Sequence, residues 1–175
     1  DRCFFCKRDL YGEIRRIWDG PIASGTNTDD LGDFRPGLEA ARRHGVRHPF
    51  VEAGLAKRDV RALALALGLD DLAELPAAPC LSSRIETGIP VTAGRLALVL
   101  EVERLVAREL GPGTLRCRVR ADGLEIQLEP DLLARADPAR LLPLIERLQS
   151  SLGHVGAVRL GAYVMGSAFL REPGR

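Results

Sequence analysis

The sequence predicts an α/β protein in two parts, an incomplete parallel layer over residues 1–75 and a small α+β domain over residues 92–175. In the first part, short apolar runs alternate with helical periodicity, which is the pattern of a parallel α/β layer. In the second part, a long helix precedes two alternating strands, a further helix and an apolar strand. Residues 76–91 contain three prolines and form the predicted loop between the parts.

The first part begins with a predicted amphipathic helix over residues 7–18, whose apolar residues at helical spacing are Leu10, Tyr11, Ile14, Ile17 and Trp18. A short buried strand is expected over residues 21–25, and the polar loop 25–37 follows it. Three further elements are then predicted in the order helix, strand, helix, over residues 37–45, 46–54 and 57–68.

The second part begins with Thr92, a good N-cap for a long helix. The expected apolar face of this helix consists of Leu96, Val99, Leu100, Leu105 and Val106. Alternation predicts strands over residues 114–120 and 124–129. A helix that starts at a proline is expected over residues 137–153, and an apolar strand over residues 155–164.

Composition limits the classes of function. The 175 residues are 46% hydrophobic and 28% charged, enough for one globular core or two small ones. A net charge of +1 provides no bulk field for binding nucleic acid or an anionic membrane, so any anion site must be local. No apolar run reaches the roughly 18 to 20 residues that cross a bilayer. We therefore expect a cytoplasmic protein without a nucleic acid partner.

The cysteines are too sparse for a disulfide scaffold and suit metal binding or catalysis. Cys3 and Cys6 are three residues apart, so both thiols can face one metal or cluster at a helix start. A redox pair, half of a zinc site and two buried small hydrophobes are the alternatives. Cys117 alternates with Val119 on one strand face and is expected in the core.

Cys80 lies in the predicted loop, after Pro79 and shortly before Ser82, Ser83 and Arg84. Free backbone N–H groups, hydroxyls and a guanidinium favour the thiolate form of a cysteine. This pattern makes Cys80 a candidate nucleophile or soft-metal ligand. The alternative is a buried loop cysteine beside an exposed arginine.

Two other stretches are candidate anion sites. A loop after the first predicted strand supplies polar groups for a nucleotide or Mg²⁺, namely Gly25, Thr26, Asn27, Asp29 and Asp30. Lys57 and Arg61, at the start of a predicted helix, could join the helix dipole in binding phosphate. A helix N-cap loop and a solvated helix face are the respective alternatives.

Arg116, Arg118 and Arg120 project from one side of a predicted strand. Their charges repel each other unless an anion or an acidic partner lies opposite, and a charged edge strand is the alternative. The three histidines, His44, His48 and His154, have no ligand spacing and are expected at the surface or in caps.

Six blocks, taken together and in order, resemble the ATP-dependent sacrificial sulfur transferases of nickel-pincer nucleotide cofactor synthesis. The blocks are DRCFFCK, GTNTDDLGDFRPG, AKRDVRALALALGL, APCLSSRIETGIPVT, CRVR and VRLGAYVMGS. This family belongs to the PP-loop ATP pyrophosphatase superfamily. The resemblance implies a Rossmann-like fold of the adenine-nucleotide alpha-hydrolase type in the first part, and a homo-oligomer.

The resemblance also implies a reaction. ATP, with Mg²⁺, adenylates a carboxylate of a pyridinium dicarboxylate mononucleotide, and a sulfur nucleophile then displaces AMP to leave a thiocarboxylate. The sulfur comes either from the loop cysteine, here Cys80, or from a [4Fe-4S] cluster on three cysteines. The pairing of CxxC with the loop cysteine resembles the cluster type, with Cys3, Cys6 and Cys80 as ligands. Cys80 and Arg84 are then expected to be catalytic, and the expected substrate-binding residues are Ser83, Arg118 and Arg120.

The sequence departs from the family pattern at three places. The Ser-Gly-Gly-x-Asp-Ser loop that binds pyrophosphate is expected upstream of Asp1, so the chain alone is expected to bind ATP poorly. Gln127 replaces a glutamate of the second strand, and Ala162, Tyr163 and Val164 replace Gly-Tyr-Arg. The rival functions are another PP-loop chemistry, such as tRNA thiolation or amide synthesis, and a non-catalytic iron–sulfur or zinc module.

Overall fold

The computed structural model describes residues 2–32, 36–75 and 79–170 and confirms a mixed α/β fold. Contacts divide the chain into two compact units, Asp1–Ala77 and Ala78–Arg175. The helices are α1 Arg2–Ile17, α2 Pro36–Arg43, α3 Pro49–Glu52, α4 Lys57–Ala66, α5 Asp70–Ala73, α6 Ala93–Leu110, α7 Pro130–Arg135 and α8 Pro138–Ser151. Two 3₁₀ helices, Thr28–Gly32 and Leu81–Arg84, and three strands, β1 Leu115–Arg120, β2 Gly123–Leu128 and β3 Ala157–Ala162, complete the described elements.

The first unit is mainly helical. Helix α1 packs against α2, and a small core forms from Tyr11, Ile22, Ala41 and Val46. The two strands predicted over residues 21–25 and 46–54 are reduced, in the described residues, to one parallel bridge between Ala23 and Arg47. Pro49 explains the second shortfall, because proline starts helix α3 where a strand was expected. The helices predicted over residues 7–18, 37–45 and 57–68 are confirmed as α1, α2 and α4.

The second unit is built on a three-stranded sheet in the order β1-β2-β3. Strands β1 and β2 form an antiparallel hairpin, in which Cys117 lies opposite Ile126, and β3 pairs in parallel with β2. A parallel neighbour requires a crossover, which α7 and α8 supply. All three predicted strands of this part are confirmed, as is the helix that starts at a proline.

Helix α6 covers one face of this sheet. Thr92 caps it as predicted, since its hydroxyl accepts a hydrogen bond from the Arg95 amide at 3.3 Å. Of the predicted face, Val99 and Val106 are buried and Leu96 and Leu105 pack against the core, while Leu98 and Val102 are buried without having been predicted. Cys117 and Val119 point into the same core, as expected from their alternation.

A close approach of backbones explains one glycine. Gly123 begins β2 with a φ of +148°, and a Cβ at this position would overlap the backbone of Ala157 in β3. Only glycine therefore allows the hairpin turn to lie against the start of β3. None of the helices formed by the described residues is both long and apolar enough to span a bilayer.

Candidate active site

The loop that carries Cys80 is a short 3₁₀ turn with the thiol on its outside. Cys80 is exposed and immediately precedes the 3₁₀ helix Leu81–Arg84. The Ser83 amide donates to the Cys80 carbonyl at 3.0 Å, and the Cys80 Sγ lies 2.9 Å from the Ser82 hydroxyl. The alternative of a buried cysteine is therefore wrong. An exposed thiol beside a hydroxyl is accessible to an electrophile in solution.

Arg84 lies beneath this turn and is 5% exposed, so the alternative of an exposed arginine is also wrong. Its Nη1 donates to the carbonyls of Pro79 at 2.6 Å and Cys80 at 3.1 Å. On its other side, Nε and Nη2 donate to the two carboxylate oxygens of Glu103 at 3.0 and 3.1 Å. Glu103 in turn accepts a hydrogen bond from the Cys117 amide at 2.9 Å. This bidentate pair joins the cysteine loop to α6 and β1.

Arg118 holds the other end of the turn. It is 3% exposed and donates to the Ser83 carbonyl at 3.1 Å, the Val164 carbonyl at 3.1 Å and Gln127 Oε1 at 3.0 Å. Burial lowers the pKa of its guanidinium, but arginine stays protonated in proteins, so a positive charge remains under the loop. Within the described part of the chain, its hydrogen bonds go to neutral acceptors and to no carboxylate.

Arg120 pairs with acidic side chains of the protein, which was one of the two ways predicted for relieving the charge repulsion on this strand. Its guanidinium lies 3.0 Å from Glu86 and 2.7 Å from Glu125, and it also donates to the Ser167 carbonyl at 2.7 Å. Arg116 lies over the ring of Tyr163 at 5.9 Å. The arginines of β1 are therefore bound by the protein itself, and the anion-binding role expected for Arg118 and Arg120 stays a prediction.

The loop continues along the edge of β1 to a distant segment. Ile85 forms a parallel bridge with Val119, and the Glu86 amide donates to the Val119 carbonyl at 3.0 Å. At the next residue, the Thr87 amide donates to the Ala168 carbonyl at 2.9 Å. Residues 163–170, which supply acceptors to Arg118, Arg120 and Thr87, are named here the strap.

Cys117 differs from the other three cysteines in being fully buried. Burial raises the pKa of its thiol, and the nearby Glu103 carboxylate raises it further. In the metal-free chain, we expect a thiol reagent to modify Cys3, Cys6 and Cys80 long before Cys117, which should react only after unfolding. Mass spectrometry of the labelled chain, with and without denaturant, measures this. Native labelling of Cys117 as fast as Cys80 would contradict it.

Cys3 and Cys6 are both exposed on the first turns of α1. They belong to the first unit, and Cys80 belongs to the second. Within either unit, the described residues contain no group of three His, Cys, Asp or Glu side chains that could hold a metal ion. The three-cysteine ligand set thus stays a prediction.

The polar loop of the first unit lies beside the start of α4. The Asp29 carboxylate accepts a hydrogen bond from the Lys57 amide at 3.0 Å, and the Asp30 carboxylate accepts one from the Asn27 amide at 3.1 Å. Asp29 thereby takes the place that a phosphate would have at the N-terminus of α4. The contact between Asp29 and the Lys57 amide therefore agrees with the alternative prediction, in which this loop caps a helix N-terminus.

The remaining predicted nucleotide ligands are placed around this loop. Gly25 is exposed and Thr26 is half-buried, with its hydroxyl 2.9 Å from that of Ser24. Arg61 donates to the Leu75 carbonyl at 2.9 Å. These contacts describe the loop without a ligand, and a nucleotide-binding role for its residues stays a prediction.

Comparison with known proteins gives three curated relatives. No family model matches the sequence. An uncharacterized protein of Synechocystis is 36% identical over 135 residues, which are 75% of this chain and 50% of the relative. The pyridinium-3,5-bisthiocarboxylic acid mononucleotide synthase of Lactiplantibacillus plantarum is 33% identical over 132 residues, 73% of this chain and 47% of the synthase. The similarity thus covers most of this chain, but less than half of the synthase.

A third relative, an uncharacterized protein of Methanocaldococcus jannaschii, is 27% identical over 136 residues, 75% of this chain and 52% of the relative. The chain spans about half the length of the curated relatives that it matches.

Two parts of the site escaped the sequence reasoning. Glu103 was not singled out, although it lies four residues after Val99 and three before Val106, on the buried face of α6. A carboxylate at such a position signals a buried cationic partner. No sequence pattern could indicate the strap, because the acceptors that it supplies are mainly backbone carbonyls, which every residue type has.

Proposed function

We propose that this protein is an ATP-dependent sulfur transferase of nickel-pincer cofactor synthesis, which converts a carboxylate of a pyridinium dicarboxylate mononucleotide to a thiocarboxylate. The observation that carries the proposal is the exposed Cys80 thiol on a turn fixed by two buried arginines. The similarity to a pyridinium-3,5-bisthiocarboxylic acid mononucleotide synthase supports the substrate class. A cytoplasmic location and a homo-oligomer stay predictions.

The proposed reaction has two stages. A carboxylate oxygen of the substrate attacks the α-phosphorus of ATP, and pyrophosphate leaves. A sulfur nucleophile then attacks the acyl carbon, and AMP departs with the former carboxylate oxygen. If the Cys80 sulfur is the nucleophile, the product is a thioester. A base then removes the Cys80 Hα, the Cβ–S bond breaks, and thiocarboxylate and dehydroalanine result.

The contacts beneath Cys80 suit this role. Arg84 and Arg118 donate to the carbonyls of residues 79, 80 and 83, so the turn is held by charge-assisted hydrogen bonds on its inner side. The thiol therefore stays on the outer side without a conformational search before each encounter. Glu103 neutralises Arg84, but Arg118 donates only to neutral acceptors among the described residues, and its positive charge favours a substrate carboxylate or phosphate beside the turn.

A [4Fe-4S] cluster is the second proposed sulfur source. The choice of Cys3, Cys6 and Cys80 as donors is supported by their exposure, whereas Cys117 is buried. When bound by three thiolates, the cluster keeps one iron open for a sulfide. Cys80 would then act as a ligand and keep its own sulfur.

The proposed ATP site is the loop of residues 25–30 with the side chains of Lys57 and Arg61. Asp29 and Asp30 carry the oxygen ligands that Mg²⁺ prefers, although both carboxylates accept backbone N–H groups in the described structure. An exposed Lys57 side chain can pair with phosphate.

The test uses the full-length protein with ATP, Mg²⁺ and pyridinium dicarboxylate mononucleotide. We expect pyrophosphate release that depends on the mononucleotide, and a thiocarboxylate product seen by mass spectrometry. The intact mass of the protein then identifies the sulfur source. Loss of the elements of H₂S at Cys80 indicates the sacrificial route, and an unchanged mass with bound iron indicates the cluster. Pyrophosphate release without any thiocarboxylate, with either sulfur source present, would overturn the proposal.

A further inference from the structure

A cavity of about 310 Å³ lies in the second unit, where β1 turns into β2. The first turns of α6, the end of α8 and the loop of residues 88–90 form its other walls. Cys80, Ser83, Arg84 and Arg118 do not line it. Its volume is at the lower end of the range of small-molecule sites, roughly 300 to 1,000 Å³.

Gln149 is the residue that points to a ligand. It lies in the last turn of α8, is 3% exposed and lines the cavity. No described residue hydrogen-bonds its side-chain amide. Every described side-chain nitrogen or oxygen that is fully shielded from solvent does have a partner, so the amide of Gln149 is not fully shielded. The amide must therefore reach the cavity space itself. An amide that faces the cavity without a protein partner is available to hydrogen-bond a ligand there.

The charges around the cavity are all positive or neutral. Its charged or titratable lining side chains are Arg95, Arg120 and His154, and none of the Asp and Glu residues that the structure describes lines it. Glu86 and Glu125 neutralise Arg120. Arg95, by contrast, donates only to the Pro90 carbonyl, at 2.9 Å, and has no carboxylate partner in the described part of the chain.

The position of Arg95 in its helix strengthens this point. It lies in the first turn of the 18-residue helix α6, where the helix dipole disfavours a cation and favours an anion. His154 lies close to the same turn, since a Cβ on Gly94 would come within 3.7 Å of its Nε2. The guanidinium of Arg95 and the imidazole of His154 thus lie on the lining of one cavity, beside the first turn of α6, and such donors suit an anion such as phosphate.

The floor of the cavity is apolar and consists of Leu98, Val119 and Leu124. An apolar floor with one amide on the wall suits a flat organic group that has a polar edge. We propose that this cavity binds a small organic phosphate monoester. Its phosphate lies between Arg95, His154 and the start of α6, and Gln149 hydrogen-bonds the polar edge of its organic group. The site is separate from the sulfur chemistry at Cys80 and does not depend on it.

The experiment titrates the 175-residue chain with AMP and follows the backbone amides by NMR. We expect shifts at residues 93–96, 149 and 154, and weaker binding of adenosine and of inorganic phosphate, because each lacks half of the ligand. Arg95→Gln should weaken AMP binding about tenfold or more, since it removes a charge-assisted contact. Arg108→Gln, at an exposed arginine in the last turn of the same helix, is the matched control and should change nothing.

The Gln149→Met variant shows whether the Gln149 amide binds a ligand or stabilises the fold. The change keeps the volume of the side chain and removes an amide that the protein does not pair. Stability should stay equal or rise, while AMP affinity should fall about tenfold. AMP shifts confined to other residues would overturn the proposal, as would an AMP affinity in the Arg95→Gln and Gln149→Met variants that equals the affinity of the parent chain. Equal binding of inorganic phosphate and AMP would also overturn it, because the organic group would then add nothing.

Discussion

Replacing Cys80 by serine is expected to abolish thiocarboxylate formation by the full-length protein, while ATP-dependent pyrophosphate release continues. A serine hydroxyl keeps the size of the side chain and its contact with Ser82, but it supplies neither a sulfur atom nor a thiolate ligand. We expect the rate of sulfur transfer to fall on the order of 10³-fold or more, as for loss of a nucleophile. The adenylation stage does not use the thiol. Pyrophosphate therefore reports on adenylation, and thiocarboxylate reports on sulfur transfer.

Cys117→Val is the control for this change. It removes a thiol from the core of the second unit, on a strand where valine is well tolerated, and sulfur transfer should persist. A Cys80→Ser variant that forms thiocarboxylate at the rate of the parent protein would remove Cys80 from the mechanism.

The second large effect is expected at Glu103, which pairs with Arg84 under the loop. Glu103→Gln keeps an acceptor for the Cys117 amide but removes the charge opposite a guanidinium whose side chain is 6% exposed. Because a buried cation without its counter-charge is costly, the second unit should lose about 3 to 5 kcal/mol of stability. Hydrogen exchange of the slowest β1 and β2 amides measures this unit separately from the first.

The matched control for Glu103 lies on the same helix. Glu101 pairs with Arg104 at 2.9 Å, but the two side chains are 39% and 59% exposed. Glu101→Gln should therefore cost less than about 1 kcal/mol. If the two variants lose equal stability, the pair beneath the loop contributes no more than a surface ion pair.

The elements of the second unit followed from the sequence because their signals are local. Thr92 is a cap whose partner lies three residues away, and the alternation of Cys117 with Val119 requires only one strand. The core face of α6 was placed less well, because several leucines around the helix leave more than one apolar face possible.

The parts that could not be predicted depend on distant partners. The buried ion pair of Arg84 was not predicted, because no sequence pattern links Arg84 to Glu103, which is 19 residues away. Arg118 obtains an acceptor from Val164, 46 residues along the chain. In the first unit, the apolar runs that were read as strands have only one bridged pair in the described residues. Strand propensity is realised only where a neighbouring strand is present.

The strap has a consequence for the order in which the protein can acquire its reactive loop. Synthesis runs from the N-terminus, so Cys80 emerges from the ribosome well before Ser167 and Ala168, whose carbonyls hold Arg120 and Thr87. Until the strap has been synthesised, Arg120 and Thr87 lack these backbone acceptors. The thiol is therefore present in the nascent chain before the geometry that would control it. Oxidation of Cys80 is thus a hazard of biosynthesis as much as of the finished protein.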